Sequence, residues 1–395
     1  MYDLTEVSNL FKIKYGKLSE NTYNSANVLL CRVKKSYNFT GKRMDVAVPT
    51  SFGGGVGSGS LPTANEASYE DAVISAKKVY AVCQIDRESI KASENDEGAF
   101  VRLTKHVVQK TVESWMRNMS RILFGSGDGG LGTTSAADAT GTASAPVITI
   151  TAATWNEANW EEKDYVNVGT LASVYEIVSV APSTRAITLS RISGSDDITA
   201  GGAGTSKVVY MQNSKDNDPE GLKGVLDATS STKYSVSIAR RWQAYQKDAS
   251  SAGISVDLLN EAMLGVEKQC GKAPNLIITS YKQYRKILNL LEDQKQYNLD
   301  PRSNELKGKV SFKGVEFMSS QGPVGIFPDR FCDDDRVYLV NDNYIEIFHR
   351  PGFGWFDDDG TVFLRDSTDS YSARYGGYLQ VYIPPTFHGR IKNLA

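Results

Sequence analysis

One long amphipathic run constrains this sequence most. Across residues 99–124, Val101, Val108, Val112, Trp115, Met119 and Ile122 recur at spacings of three, four and seven, which marks one apolar helix face. Arg102, Lys105, Lys110, Arg117 and Arg121 fill much of the remainder, with Glu113 the one acid. A helix of ~26 residues is ~39 Å long at ~1.5 Å per residue, so other elements have to be laid along it. Its basic side reads either as a solvated surface or as a face that meets acidic residues of a neighbouring subunit. The run ends at residues 125–130, GSGDGG. That string has the GxGxxG spacing of dinucleotide sites, but a helix precedes it and none follows, the reverse of the required context. Glycine suits a left-handed cap, so the string reads as a helix stop and a flexible joint.

Upstream lies a segment that cannot bury itself. Residues 51–64, SFGGGVGSGSLPTA, contain five glycines and no charge. Before it, residues 43–48 alternate polar and apolar, and residues 72–86 are strand-like around 79–83. Two strands flanking a Gly-rich tip make a long hairpin, although a linker loop has the same composition. Residues 1–40 show little periodicity beyond a short helical stretch near 4–15 and read as an extended arm.

After the helix the composition shifts. Residues 131–145 are dominated by Ala, Thr, Ser and Gly and read as a linker. Short strands follow at 147–151, 164–168, 174–181, 185–190 and 207–211, the pattern of a small antiparallel barrel or sandwich. Residues 131–213 carry roughly four basic against eight acidic side chains, more acidic than the whole. From Gly221 onward, helices at 256–269 and 280–292 alternate with a buried strand at 275–279. Strands at 310–312, 315–318, 336–341, 344–348 and 378–383 complete an α/β unit.

Composition narrows the function. The 395 residues carry 44 Lys+Arg against 46 Asp+Glu, a formal net charge of −2, so no whole-chain basic field points to nucleic acid. Three His and four Cys leave little material for a zinc site or a Cys–His nucleophile, and no HExxH, GxSxG or P-loop string occurs. No catalytic residue, metal ligand or cofactor site is assigned. Cys31, Cys83, Cys270 and Cys332 share no CxxC spacing and read as buried thiols in a reducing compartment. No signal peptide opens the chain and no run of ~20 apolar residues occurs, so no membrane span is expected.

Three acidic clusters remain. Asp216, Asp218 and Glu220, then Gly221 and Asp227, occupy the first, third, fifth, sixth and twelfth positions of a calcium loop. Against that, Pro219 intrudes, Asp replaces the bidentate Glu and no helix precedes, so an interdomain turn is the expectation. The runs 333–335 and 357–359 read as solvated turns or as inter-subunit pairing sites.

This order of parts resembles the HK97-fold major capsid proteins of tailed bacteriophages. Carrying the resemblance are the hairpin, the helix ending in RILFGSGDG, the turn GLKGVLD at 221–227 and the terminal strand YLQVYIPP. The implied fold is α+β, with an N-terminal arm at 1–41, an extended loop at 42–75 and a peripheral domain with its spine helix at 76–130. An inserted β-barrel-like domain would occupy 131–215, a connector 216–235, an axial domain 236–351, and a return to the peripheral domain 352–395. The resemblance implies a coat protein that assembles as hexamers and pentamers into an icosahedral virion head around double-stranded DNA, without catalysis. An encapsulin-type compartment is the first alternative; an enzyme and a β-rich tail or adhesin protein are further ones.

Expected interface residues are Phe52, Val56 and Leu61 at the loop tip and Arg117 and Arg121 on the spine helix. Phe327, Asp329 and Arg330 are expected in an axial-domain loop. The tip has no lysine, so a covalent cross-link between a loop Lys and an Asn is not expected. Met1 leads straight into the arm with no long helical scaffolding segment before it, so assembly is expected to depend on a separate scaffolding protein or on none. The resemblance also implies a portal and packaged DNA in weak non-specific contact, with assembly in the host cytoplasm.

Overall fold

The structure is a computed structural model that describes residues 28–36, 39, 41, 43–51, 59, 68–87, 97–199, 204–229, 232–237, 241–292, 315–350, 354–356, 364–365 and 369–395. Within the expected arm, α1 (Val28–Arg32) and β1 (Lys34–Ser36) are ordered into the molecule. Leu29 and Leu30 are fully buried there, a burial that two adjacent leucines without a longer periodic run do not announce.

The hairpin exists, with a partner strand other than the one at 79–83. β2 (Arg43–Ser51) pairs antiparallel with β3 (Ser68–Ser75), starting from Arg43 opposite Ser75. Successive side chains of β3 face opposite ways, which puts Ala72 and Ile74 in the core while Asp71 and Tyr69 face out. After Ala76 the chain turns into β4 (Lys77–Asp86), which pairs instead with a strand near the C-terminus.

The spine helix α2 (Glu97–Phe124) forms as its periodicity predicts. Val108, Val112, Trp115, Met119 and Ile122 are all buried. Trp115 Nε1 donates to the Val79 carbonyl at 3.3 Å, which ties the helix to β4.

Residues 130–211 form a seven-stranded sheet. Its strands are β5 (Gly130–Thr133), β6 (Thr140–Thr142), β7 (Ala145–Thr149), β8 (Tyr165–Val168), β9 (Val174–Ala181), β10 (Ala186–Ser193) and β11 (Val208–Met211), ordered β5-β11-β8-β9-β10-β7-β6. A bridge between Thr134 and Ile150, with the Ser135 amide on the Thr149 carbonyl at 2.7 Å, curls the sheet closed. The stretch 131–145, expected to be a linker, supplies two of these strands. Its small residues hide the pattern and are needed: a Cβ on Gly132 would sit 3.0 Å from both Ile150 and Trp160.

The chain then runs through α3 (Leu222–Leu226), β12 (Thr232–Lys233), β13 (Val236–Ser237), β14 (Tyr245–Asp248), α4 (Val256–Cys270), β15 (Leu276–Thr279), α5 (Tyr281–Glu292), β16 (Val315–Ser319) and β17 (Gly322–Pro328). It closes with β18 (Val337–Val340), β19 (Glu346–His349), β20 (Gly354–Trp355), β21 (Leu364–Arg365), β22 (Ser370–Tyr382) and β23 (Gly389–Lys392). One six-stranded sheet has the order β14-β23-β18-β15-β17-β16. In the other, β22 carries β4 along one edge and β19, β20 and β21 in series along the other. The expected strand at 310–312 lies outside the described residues.

β15 and β18 are buried throughout because each separates two cores. Leu276, Ile278, Tyr338 and Val340 face the cluster built on α2 and the hairpin base, while Ile277, Val337 and Leu339 face α4 and α5. A third core, with Tyr175, Ile177, Ile187 and Leu189 at its centre, fills the closed sheet of 130–211.

Candidate assembly surfaces

The spine helix directs Arg117 and Arg121 inward to acids of their own chain. Arg117, mostly buried, grips Glu161 and Asp164 at the mouth of the closed sheet. Burial disfavours the charge on Arg117, but the two carboxylates outweigh it and raise its pKa. Asp164 is raised as well, because its desolvation exceeds the pull of Arg117. Arg121 reaches Asp218 at 2.9 Å with both side chains nearly buried. Asp164 and Asp218 lie 47 and 97 residues along the chain from their arginines, a separation that no local spacing reveals.

The calcium-like loop turns its acids to different cations. Asp218 takes Arg121 and the Ser214 hydroxyl, Glu220 takes Lys233 at 3.2 Å, and Asp227 takes Arg336 and Arg390. Among the described residues no group of three or more His, Cys, Asp or Glu side chains converges as metal ligands would. The loop is a turn that ties α2 to the sheet behind it.

Asp227 centres the densest charge network. Arg390, whose side chain is 3% exposed, places Nε 2.7 Å from Asp227 Oδ1 while its N–H points to the Leu226 carbonyl at 3.0 Å. Arg336 bonds the other oxygen and also approaches Asp333 at 3.3 Å, and Asp333 receives Lys223 at 2.7 Å. Part of the run 333–335 is thus an intramolecular brace, whereas 357–359 lies outside the described residues. The network joins α3, the start of β18 and the final strand β23.

Of the axial residues, Phe327 lies in β17 rather than in a loop, paired with Ile278 and half-buried under Arg32 at 4.9 Å. The Gly and Pro of GPVGIFP mask this strand in the sequence. Asp329 is buried and caps the following turn, its Oδ1 accepting the Phe331 amide at 2.9 Å. Burial pushes its carboxyl up, against the pull of that amide. Arg330 is half exposed and reaches toward Glu161 at 3.7 Å across a cleft of about 510 Å³. Trp155, Trp160, Tyr281 and Asp334 also line that cleft. Phe52, Val56 and Leu61 lie outside the described residues.

One surface has no counterpart among the sequence-based expectations. Tyr80 (41% exposed) and Val82 (62% exposed) stand on the face of β4 opposite α2, where Tyr80, Phe356 and Tyr378 cluster edge to face at 5.5–6.4 Å. The alternation in VYAVC carries the signal, but only once β4 is known to pack α2 on one face. Cys83 and Cys332 are buried thiols as expected, and Cys270 is partly exposed. Among the described residues no helix is long and apolar enough to cross a membrane.

Comparison with known proteins identifies the family of the chain. A family model described as SU10 major capsid protein matches residues 61–350, well over half of the chain. The chain belongs to that family. It is a bacteriophage major capsid protein, a structural component of the virion and not an enzyme. The sequence has no match among curated proteins.

Among solved structures, a chain of the cyanophage A-1(L) capsid superposes with a TM-score of 0.54 at 11% identity, over 92% of this chain and 90% of that one. At that identity the likeness shows the fold alone, an HK97-like capsid fold of mixed α and β structure. Mycobacterium phage Adephagia (TM-score 0.43, 11% identity, 93% and 89% covered) and the SrpI encapsulin of Synechococcus elongatus (0.45, 8%, 93% and 86%) are more distant and carry no argument. Arg117 and Arg121 of α2 brace the subunit from within, and Tyr80 and Val82 on β4 are exposed.

Proposed function

We propose that copies of this capsid protein assemble through hexamers and pentamers into an icosahedral phage head that encloses double-stranded DNA. The supporting observation is the hairpin. Ala72 and Ile74 root its base in the main core and Val48 carries that buried face toward the tip, whereas Tyr69, on the opposite face near the distal end of the described ladder, is 63% exposed. A rooted ladder ending in the uncharged, Gly-rich tip is stabilised by lying on a neighbour. Stable interfaces remove about 1,600 Å² from water, an area that an overlaid loop reaches without a larger core.

On this reading Phe52, Val56, Leu61 and Arg330 contact neighbouring subunits. Phe327 and Asp329 shape the turn that presents Arg330, and Arg117 and Arg121 stiffen the spine behind it. The segment 131–215 is a β-barrel domain inserted between spine helix and connector, with 1–41, 42–75, 76–130, 216–235, 236–351 and 352–395 as the remaining parts. A separate scaffolding protein and a portal act in assembly, which takes place in the host cytoplasm, and DNA is held by weak non-specific contact.

Deleting residues 53–59 tests the hairpin's role. The subunit should still fold cooperatively, because the cores are left intact, yet fail to close shells in electron micrographs. Normal shells from the deletion would refute the assignment. Enzyme cargo in place of DNA inside purified shells would favour the compartment reading.

A further inference from the structure

The closed sheet of 130–211 is connected to the rest of the molecule unusually thinly. Its core is separate from the other two, and among the described residues Ala158 is its one apolar contribution to the main core. Among those same described residues, no strand of it packs along a strand or helix of the body. Its two ends are neighbours, since Gly130 on β5 lies opposite Tyr210 on β11. The segments that lead in and out run side by side, with the Asp216 amide on the Asp128 carbonyl at 2.9 Å. Gly127 and Gly129 there have φ of +82° and +81°, and a Cβ on Gly129 would lie 2.3 Å from the Ser214 carbonyl oxygen.

Ion pairs and polar contacts bridge the joint. Arg117 on α2 takes Glu161 and Asp164, Arg330 reaches Glu161, and Lys77 donates to the Asp216 carbonyl at 2.8 Å. Beside them the cleft between Trp155 and Tyr281 leaves about 510 Å³ open, room into which the sheet can tilt.

We propose that this β-barrel is a hinged rigid body, swivelling on residues 125–129 and 212–218, and that Arg117 is the positioning residue that latches it to the spine helix. A hydrophobically packed joint would be fixed by its buried area. A joint made of charges releases when one charge is removed or screened, because each partner can be solvated separately. The latch gives the capsid protein two barrel poses on one body.

Hydrogen–deuterium exchange on the purified full-length chain tests the latch. In Arg117→Ala, exchange at 125–129, 155–161 and 212–218 should rise by about tenfold, the factor expected for loss of a partly buried charge pair. β9 and β10 should keep their protection, since the barrel core is untouched. Asp164→Asn, made on the barrel side, should act in the same direction and serves if Arg117→Ala fails to fold. For the unaltered protein, raising KCl from about 0.1 M to about 1 M should reproduce part of the change. Unchanged exchange at the joint in the folded variants would overturn the latch. Loss of protection in β9 and β10 together with the joint would overturn the rigid body.

Discussion

At the scale of single residues, two polar groups carry disproportionate weight. Asp227 neutralises Arg390 and Arg336 at once. Replacing it leaves an almost fully buried guanidinium without its counter-charge, which costs about 3 kcal/mol or more. Asp227→Asn should therefore shift the urea midpoint far down, whereas Asp216→Asn, whose side chain lies outside this network, should leave it near its starting value.

His388 makes a pH argument. It is fully buried, its Nδ1 accepts the Asn341 amide at 3.1 Å, and burial pushes its pKa from 6.5 down to about 3. The unfolded chain binds a proton below 6.5 and the folded chain does not until about 3. Stability is thus intact above 6.5 and declines as pH falls through that window, by about 1.4 kcal/mol per unit and about 5 kcal/mol in all. His388→Asn, which keeps an acceptor near Nδ1, should flatten the acid limb of denaturation curves taken between about pH 7 and about pH 4. A residual slope should remain, because burial lowers His349 too. An unaltered slope would contradict the account.

At the scale of elements, Trp115 is the anchor of the spine helix. It is completely buried, stacks edge-on against Tyr375 at 5.4 Å and bonds the backbone of β4. Trp115→Ala should cost about 3–5 kcal/mol, readable as a lower thermal midpoint of the unassembled subunit. α2 was legible in the sequence because a period near 3.6 residues, held over many turns, fits a helix and no strand. β15 and β18 were legible because short, mostly apolar runs fit strands buried on both faces. β5, β6 and β17 were not: Gly, Thr, Ala and Pro give weak strand signals, and close packing rather than side-chain area selects them there. The hairpin was visible, but its pairing with Ser68–Ser75 was not, since register depends on which face finds the core. For the same reason the sequence showed a basic helix face without showing that Arg117 and Arg121 turn toward distant acids.

At the scale of the whole molecule, the three large hydrophobic cores of the described residues share one chain, and the way each is joined differs. The cores on either side of β15 and β18 share those strands and should unfold together. The barrel core shares none and is tied to the body mainly by charge, so calorimetry should resolve its transition from the main one, more clearly at high salt. The order of parts was enough to suggest a capsid protein from sequence; the cleft, the ion-paired joint and the aromatic face of β4 became visible only when distant segments were brought together.

The central claim is that this subunit builds shells by itself or with assembly partners. Electron microscopy of the full-length chain after size exclusion tests it most directly. The account predicts closed shells or tubes of uniform wall thickness with five- and six-fold clusters, formed alone or once a scaffolding protein is added. A chain that stays monomeric with scaffolding protein and portal both present would contradict it.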